Sequence, residues 1–152
     1  MAYCTIDDIK KLLPEDVIIQ LTDDENLKPE AINPADEKHA NILARIEEAI
    51  ATADAEIDSY CSVRYSVPLS PVPGVVAKLS VTISIYYLYT RRSVPERIET
   101  SYDKAVARLK DISRGLMALG IDPPPPAPTT DRAESNKPVR DRIFTIGKMR
   151  GF

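Results

Sequence analysis

Between Val75 and Arg92 the chain is apolar on nearly every side: Val75, Val76, Leu79, Val81, Ile83, Ile85, Leu88 and three tyrosines, with no glycine or proline among them. A stretch like this has no face to give to water, so whatever it forms must be wrapped by the rest of the chain. Val, Ile, Thr and Tyr dominate residues 81–90, which by composition alone also suits a strand. The length and the lack of turn residues favour a central helix, closed by Arg91 and Arg92 where a helix C-terminus favours cations. Lys78, Ser80, Thr82 and Ser84 interrupt the run, so it does not read as a membrane span.

The wrapping elements are readable on both sides. Thr5 is placed to cap a helix, with Asp8 three residues on, and Ile6, Ile9, Leu12 and Leu13 recur at helical spacing. Pro14 suits the start of a second short helix, followed by Glu15, Asp16, Val17, Ile18, Ile19 and Leu21. A polar loop follows over residues 22–34. The best-defined helix is expected from about Asp36 to Cys61: Ile42, Ile46, Ala49, Ile50, Ala53, Ile57 and Tyr60 make one stripe of a 3.6 period, and Glu47, Glu48, Asp54, Glu56 and Asp58 occupy the other faces. Pro68, Pro71 and Pro73 demand an extended connection. Pro95 and Glu96 open a last helix with Ile98, Tyr102, Ala105, Val106, Leu109, Ile112, Leu116 and Leu119 as its stripe and Gly120 as its cap. The expected fold is therefore all-α, a small bundle of four to five helices over residues 1–121.

Beyond it the composition changes. Of 13 prolines in 152 residues, five fall at Pro123 to Pro126 and Pro128. Residues 122–138 read as an extended tether, spanning about 50 Å at roughly 3.1 Å per residue. Residues 139–152 carry Arg140, Arg142, Ile143, Phe144, Ile146, Met149, Arg150 and Phe152, the make-up of a basic, aromatic docking peptide. Charge divides at the same place: residues 137–152 carry +4, which leaves −7 on residues 1–136 of a chain at net −3. An acidic body with a basic tip is poorly suited to general nucleic-acid binding, which needs a broad basic face. The tip suits an acidic protein surface, including that of another copy.

Enzyme patterns fail one by one. Glycines at 74, 115, 120, 147 and 151 form neither a dinucleotide fingerprint nor a phosphate loop. The single histidine, His39, excludes the paired-histidine metal motifs and reads as a solvent-exposed side chain near a helix start. Asp54 and Asp58 stand four apart on one helix face and would both reach a metal ion, but no second acidic motif completes a site. Asp58 is also placed to pair with Arg64. The tyrosines of the central segment read as core or interface residues whose hydroxyls need partners. Cys4 and Cys61 lack ligand spacing and are expected to be free thiols in a reducing cytosol. The opening residues 1–8 lack the basic and apolar regions of a signal peptide. No catalysis, cofactor, metal or membrane association is expected.

The run Ala53-Asp54-Ala55-Glu56-Ile57-Asp58-Ser59-Tyr60, with Arg64-Tyr65, Pro68-Leu69 and Pro71-Val72-Pro73, resembles the Mu-like bacteriophage neck family. Tyr3 to Asp8, Leu21-Thr22-Asp23, Tyr102-Asp103, the stretch from Leu109 to Gly115, Phe144 and the closing Met149 to Phe152 extend the resemblance over about residues 3–120 and the last ten or so. The long proline tether and Cys61 depart from the pattern. The resemblance implies a head–tail connector (adaptor) of the virion neck, made in the host cytoplasm and assembled as a ring of about twelve copies under the portal. Such a ring continues the DNA channel toward the stopper or tail-terminator protein, and its C-terminal segment docks on portal or on a neighbouring subunit. Genome DNA would pass without specific binding, which an acidic lumen favours. Glu47, Glu48, Asp54 and Glu56 are the candidate channel-facing residues. The alternatives are a small phage-encoded module binding nucleic acid or a regulator through the basic tail, and a metal-dependent enzyme built on Asp54 and Asp58.

Overall fold

A computed structural model describes residues 2–23, 32, 39–90 and 92–121. They form five helices: α1 (Ile6–Lys10), α2 (Glu15–Thr22), α3 (Ala40–Cys61), α4 (Gly74–Tyr89) and α5 (Glu96–Arg114). The all-helical expectation holds, and no strand occurs among the described residues. The helix start expected near Asp36, most of the loop after Thr22, Arg91, and the tether and docking peptide lie outside the described residues.

Local chemistry sets most of the boundaries. At α1, Asp8 N–H donates to Thr5 Oγ1 and Thr5 N–H donates back to the Asp8 carboxylate, so two orphan amides are satisfied at once. Lys11, 2.7 Å from Asp8, and Thr5 together hold that carboxyl down to about 2. Thr5→Ala is expected to cost about 1 kcal/mol, read as a lower midpoint in thermal melts followed by circular dichroism. Prolines stand at the N-caps of α2, α4 and α5. Each has its fixed φ, and the amide it lacks would have no helical partner there. Thr22 belongs to α2 rather than to the loop; its hydroxyl donates to Ile18 O at 2.7 Å. Glu15 accepts from the Ile32 amide at 2.8 Å and from Lys10 at 2.9 Å, which fixes buried Ile32 against the first two helices.

α4 is the wrapped element. Val76, Leu79, Ser80, Val81, Ile83, Ser84, Ile85 and Leu88 are buried around most of its circumference, and only the stripe with Val75, Lys78 and Thr82 reaches the surface. α3 lies antiparallel to it. The first half of α3 meets the second half of α4 together with α1 and α2, around Ile9, Ile18, Ile46 and Ile85. The second half of α3 meets the first half of α4 together with α5, around Ile57, Leu79, Ile83 and Leu109. Two apolar clusters thus share a pair of long helices as their common wall.

Three expectations are corrected. α5 ends at Arg114 and not near Leu119; its cap is Gly115 at φ +79°, a left-handed conformation that side chains resist. Leu116, counted in the helical stripe, is consequently exposed, while Leu119 folds back into the core. His39 is buried, because the turn entering α3 places it against the body.

Candidate functional site

Within the motif over 53–69, Ala53, Asp54, Ile57, Tyr65 and Leu69 turn inward, with Glu56, Asp58 and Tyr60 half-buried beside them. Ala53 and Ile57 are fully buried between α3, α4 and α5. Asp54, 8% exposed, accepts from the Tyr3 amide at 2.9 Å through Oδ2 and from the Ser80 hydroxyl at 2.6 Å through Oδ1. One turn on, Asp58 Oδ1 accepts the Tyr3 hydroxyl, and that hydroxyl accepts the Leu69 amide at 2.9 Å. A single side chain, Tyr3, thereby ties the start of the chain to α3 and to the loop after it. Pro68 follows Val67 through a cis peptide bond and stays exposed.

Glu56 faces a second group. Its two carboxylate oxygens accept from Tyr87 and Tyr102, each at 3.0 Å. Tyr86 stacks on Tyr102 with ring centroids 3.9 Å apart, and Tyr87 meets Tyr102 edge-on at 6.4 Å. The expectation that core-helix tyrosines need hydroxyl partners is met for Tyr87 by this carboxylate. Burial, followed by the bond to Glu56, pushes the phenol pKa of both Tyr87 and Tyr102 upward. Tyr60 packs half-buried against the same cluster as Ile57. Tyr65 is buried, and its hydroxyl accepts the Leu119 amide at 3.3 Å.

Arg64 does not pair with Asp58. Its guanidinium lies over Gly115, where an added Cβ would fall 1.7 Å from Nη1. Gly115 thus serves twice, through its positive φ and through the space it leaves for the arginine. The motif's arginine and the glycine closing α5 are one contact between the loop after α3 and the end of α5.

Two of the four candidate channel carboxylates are therefore withdrawn. Asp54 is inside the body and Glu56 is half-buried with both oxygens occupied; Glu47 and Glu48 are exposed. The metal alternative loses its ligands in the same way, since Asp54 and Asp58 are both turned to Tyr3. Among the described residues no three or more His, Cys, Asp or Glu side chains gather where an ion would bind. No helix among them is long and apolar enough to cross a membrane. Cys4 and Cys61 are free and buried; burial raises both thiols, with Cys61 pushed up to about 11. The docking residues Arg140, Arg142, Ile143, Phe144, Ile146, Met149, Arg150 and Phe152 lie outside the described residues.

Tyr3, Ser80 and Ser84 are the contributors that sequence reasoning missed. Ser80 and Ser84 are four apart in an otherwise apolar helix, hence on one face, and both are buried beside Cys4, with Ser80 Oγ 3.1 Å from its sulfur. That spacing was a visible signal of a polar partner from elsewhere in the chain. Burial and the bond to Asp58 push the Tyr3 phenol up to about 12. The unfolded chain releases this proton near the ordinary tyrosine value of about 10, so between those two values the folded state holds more protons and stability falls as pH rises. Urea unfolding from pH 9 to 12 should show that loss, and Tyr3→Phe should shrink the Tyr3 share of it while lowering stability at neutral pH by about 1 kcal/mol.

The body is a helical scaffold held by its own motif, and its relatives are phage proteins. The chain belongs to the family described as Bacteriophage Mu, Gp36, whose profile matches residues 3–137. It is 31% identical over 78 residues to the Mu-like prophage FluMu protein gp36 of Haemophilus influenzae, an alignment covering 51% of this chain and 55% of that protein. Against gene product J of Escherichia phage Mu the identity is 27% over 110 residues, covering 70% and 74%. The chain thus spans about half the length of the Haemophilus relative.

Proposed function

We propose that the chain is a structural subunit of a Mu-like phage particle, a head–tail connector that forms a ring under the portal and extends the DNA channel, without enzymatic activity. The observation that carries this reading is the use of the motif's chemistry. In a member of a phage family, the motif carboxylates Asp54, Glu56 and Asp58 are all engaged by donors of the same body, Asp54 by Tyr3 and Ser80, Glu56 by two tyrosines and Asp58 by Tyr3. What is left for outside partners is an acidic surface and a basic, aromatic tail. A net −7 over residues 1–136 lets DNA pass rather than stick.

Phage made without this protein should yield filled heads that carry no tails, seen by electron microscopy and as a loss of infectivity. Complete, infectious tailed particles would overturn the proposal. Removing residues 123–152 should leave a folded monomer that no longer assembles with portal or with other copies, measured by sedimentation and by complementation of the defective phage.

A further inference from the structure

Along one side of α3 runs a trough of about 590 Å³. Buried Ile46 and Ile50 line it together with the more open Leu43, Ala51, Ala55 and Ile6, while Glu47 and Asp58 lie on the same helix stripe. Leu43 and Asp58 are fifteen residues apart, so the α3 side of the trough is about 22 Å long at 1.5 Å per residue. Its make-up is mostly apolar with acids at intervals, which suits an extended peptide having apolar anchors and cationic neighbours.

This chain contains such a peptide beyond the described residues. Ile143, Phe144, Ile146 and Met149 are flanked by Arg142 on one side and by Lys148 and Arg150 on the other, and the seven residues from Ile143 to Met149 would span about 23 Å if extended at roughly 3.3 Å each. We propose that the α3 trough receives residues 143–149 of a neighbouring copy. The proposal deepens the docking-tail reading above and rests on it, by naming the receiving surface. The source is a neighbour because the sixteen residues over 123–138, six of them proline, would reach about 50 Å if extended, more than twice the trough. A stiff tether raises the local concentration of its tip at a matching distance and not against the surface it leaves. Glu47 then belongs to an interface between subunits rather than to the channel.

The test uses the full-length chain with p-benzoyl-phenylalanine in place of Phe144, mixed as isotopically heavy and light protein over a concentration series and irradiated. Trypsin releases residues 46–64 as one peptide, which carries most of the trough. The expected result is heavy–light crosslinks from position 144 to that peptide, rising with concentration. Ala55→Arg, at an exposed helix position, and Ile146→Asp on the tail should each cut them roughly tenfold with melting behaviour unchanged. Crosslinks confined within one chain, located elsewhere, or insensitive to both variants would overturn the proposal. Intermolecular trough crosslinks in a protein absent from phage particles would support it while removing the connector reading. Particles that require the tail yet yield no trough crosslink would do the reverse.

Discussion

Asp54→Ala is expected to destabilise the body by about 3 kcal/mol, because it strands two buried donors at once. The Tyr3 amide and the Ser80 hydroxyl both point at this carboxylate from within 3 Å, and little water reaches a residue 8% exposed. Alanine removes the acceptor and leaves a gap against Cys4 and α4. Asp54→Asn keeps the volume and one carbonyl acceptor, and the Ser80 hydroxyl can rotate to accept from the new amide; roughly half the loss should return. Urea unfolding followed by circular dichroism measures both. A change near zero for alanine would place Asp54 on a solvated face, as the channel reading of the sequence had it.

The second large effect is expected at Ile57. This side chain is fully buried where α3 meets α4 and α5, among Ala53, Cys61, Leu79, Ile83 and Leu109. Truncation to alanine removes three carbons from a site lined by long helices that cannot easily close on the gap, so about 3–4 kcal/mol should be lost. Against a typical domain stability of about 5–15 kcal/mol, either variant alone should fold, and the double variant, losing about 6–7 kcal/mol if the effects add, should show a much lower urea midpoint than either. Residues 54 and 57 are near neighbours on one helix, so their effects need not add. Glu48→Ala, on the exposed side of the same helix, should stay within about 0.5 kcal/mol of the parent. Together the three variants separate a motif that holds the subunit together from one that faces a partner.

Helix positions and types were legible in the chain because each is set by local, repeating chemistry. The stripe from Ile42 to Tyr60, the prolines ahead of α2, α4 and α5, and the Thr5–Asp8 reciprocal cap all act within a turn or two. The end of α5 was misplaced because a distant residue takes part in it. Gly115 and Gly120 both have positive φ, and the sequence pattern pointed to Gly120 as the stop. The deciding contact is the Arg64 guanidinium over Gly115, contributed from 51 residues away. A cation on the loop after α3 has no periodicity to announce its partner.

The carboxylates show the same division more sharply. The apolar stripe along α3 left Glu47, Glu48, Asp54, Glu56 and Asp58 to its other faces, and the first two are indeed exposed. Asp54, Glu56 and Asp58 each find donors far along the chain, on Tyr3, Ser80, Tyr87 and Tyr102. A carboxylate has the same place in a helical pattern whether water or a tyrosine hydroxyl satisfies it.

What the sequence by itself determined is the list of helices, the need to bury most of residues 75–89, and the opposed charges on the two sides of the proline run. These follow from periodicity, backbone restriction and composition, which are properties of neighbouring residues. Only the tertiary structure decided that the motif is an internal clasp, that Tyr3 ties three segments together, and that the described residues form an apolar trough along one side of α3. Those outcomes depend on which distant donors arrive beside a given acceptor and which faces remain uncovered once all five helices have packed. Both are settled by how the whole chain shares out its buried surface.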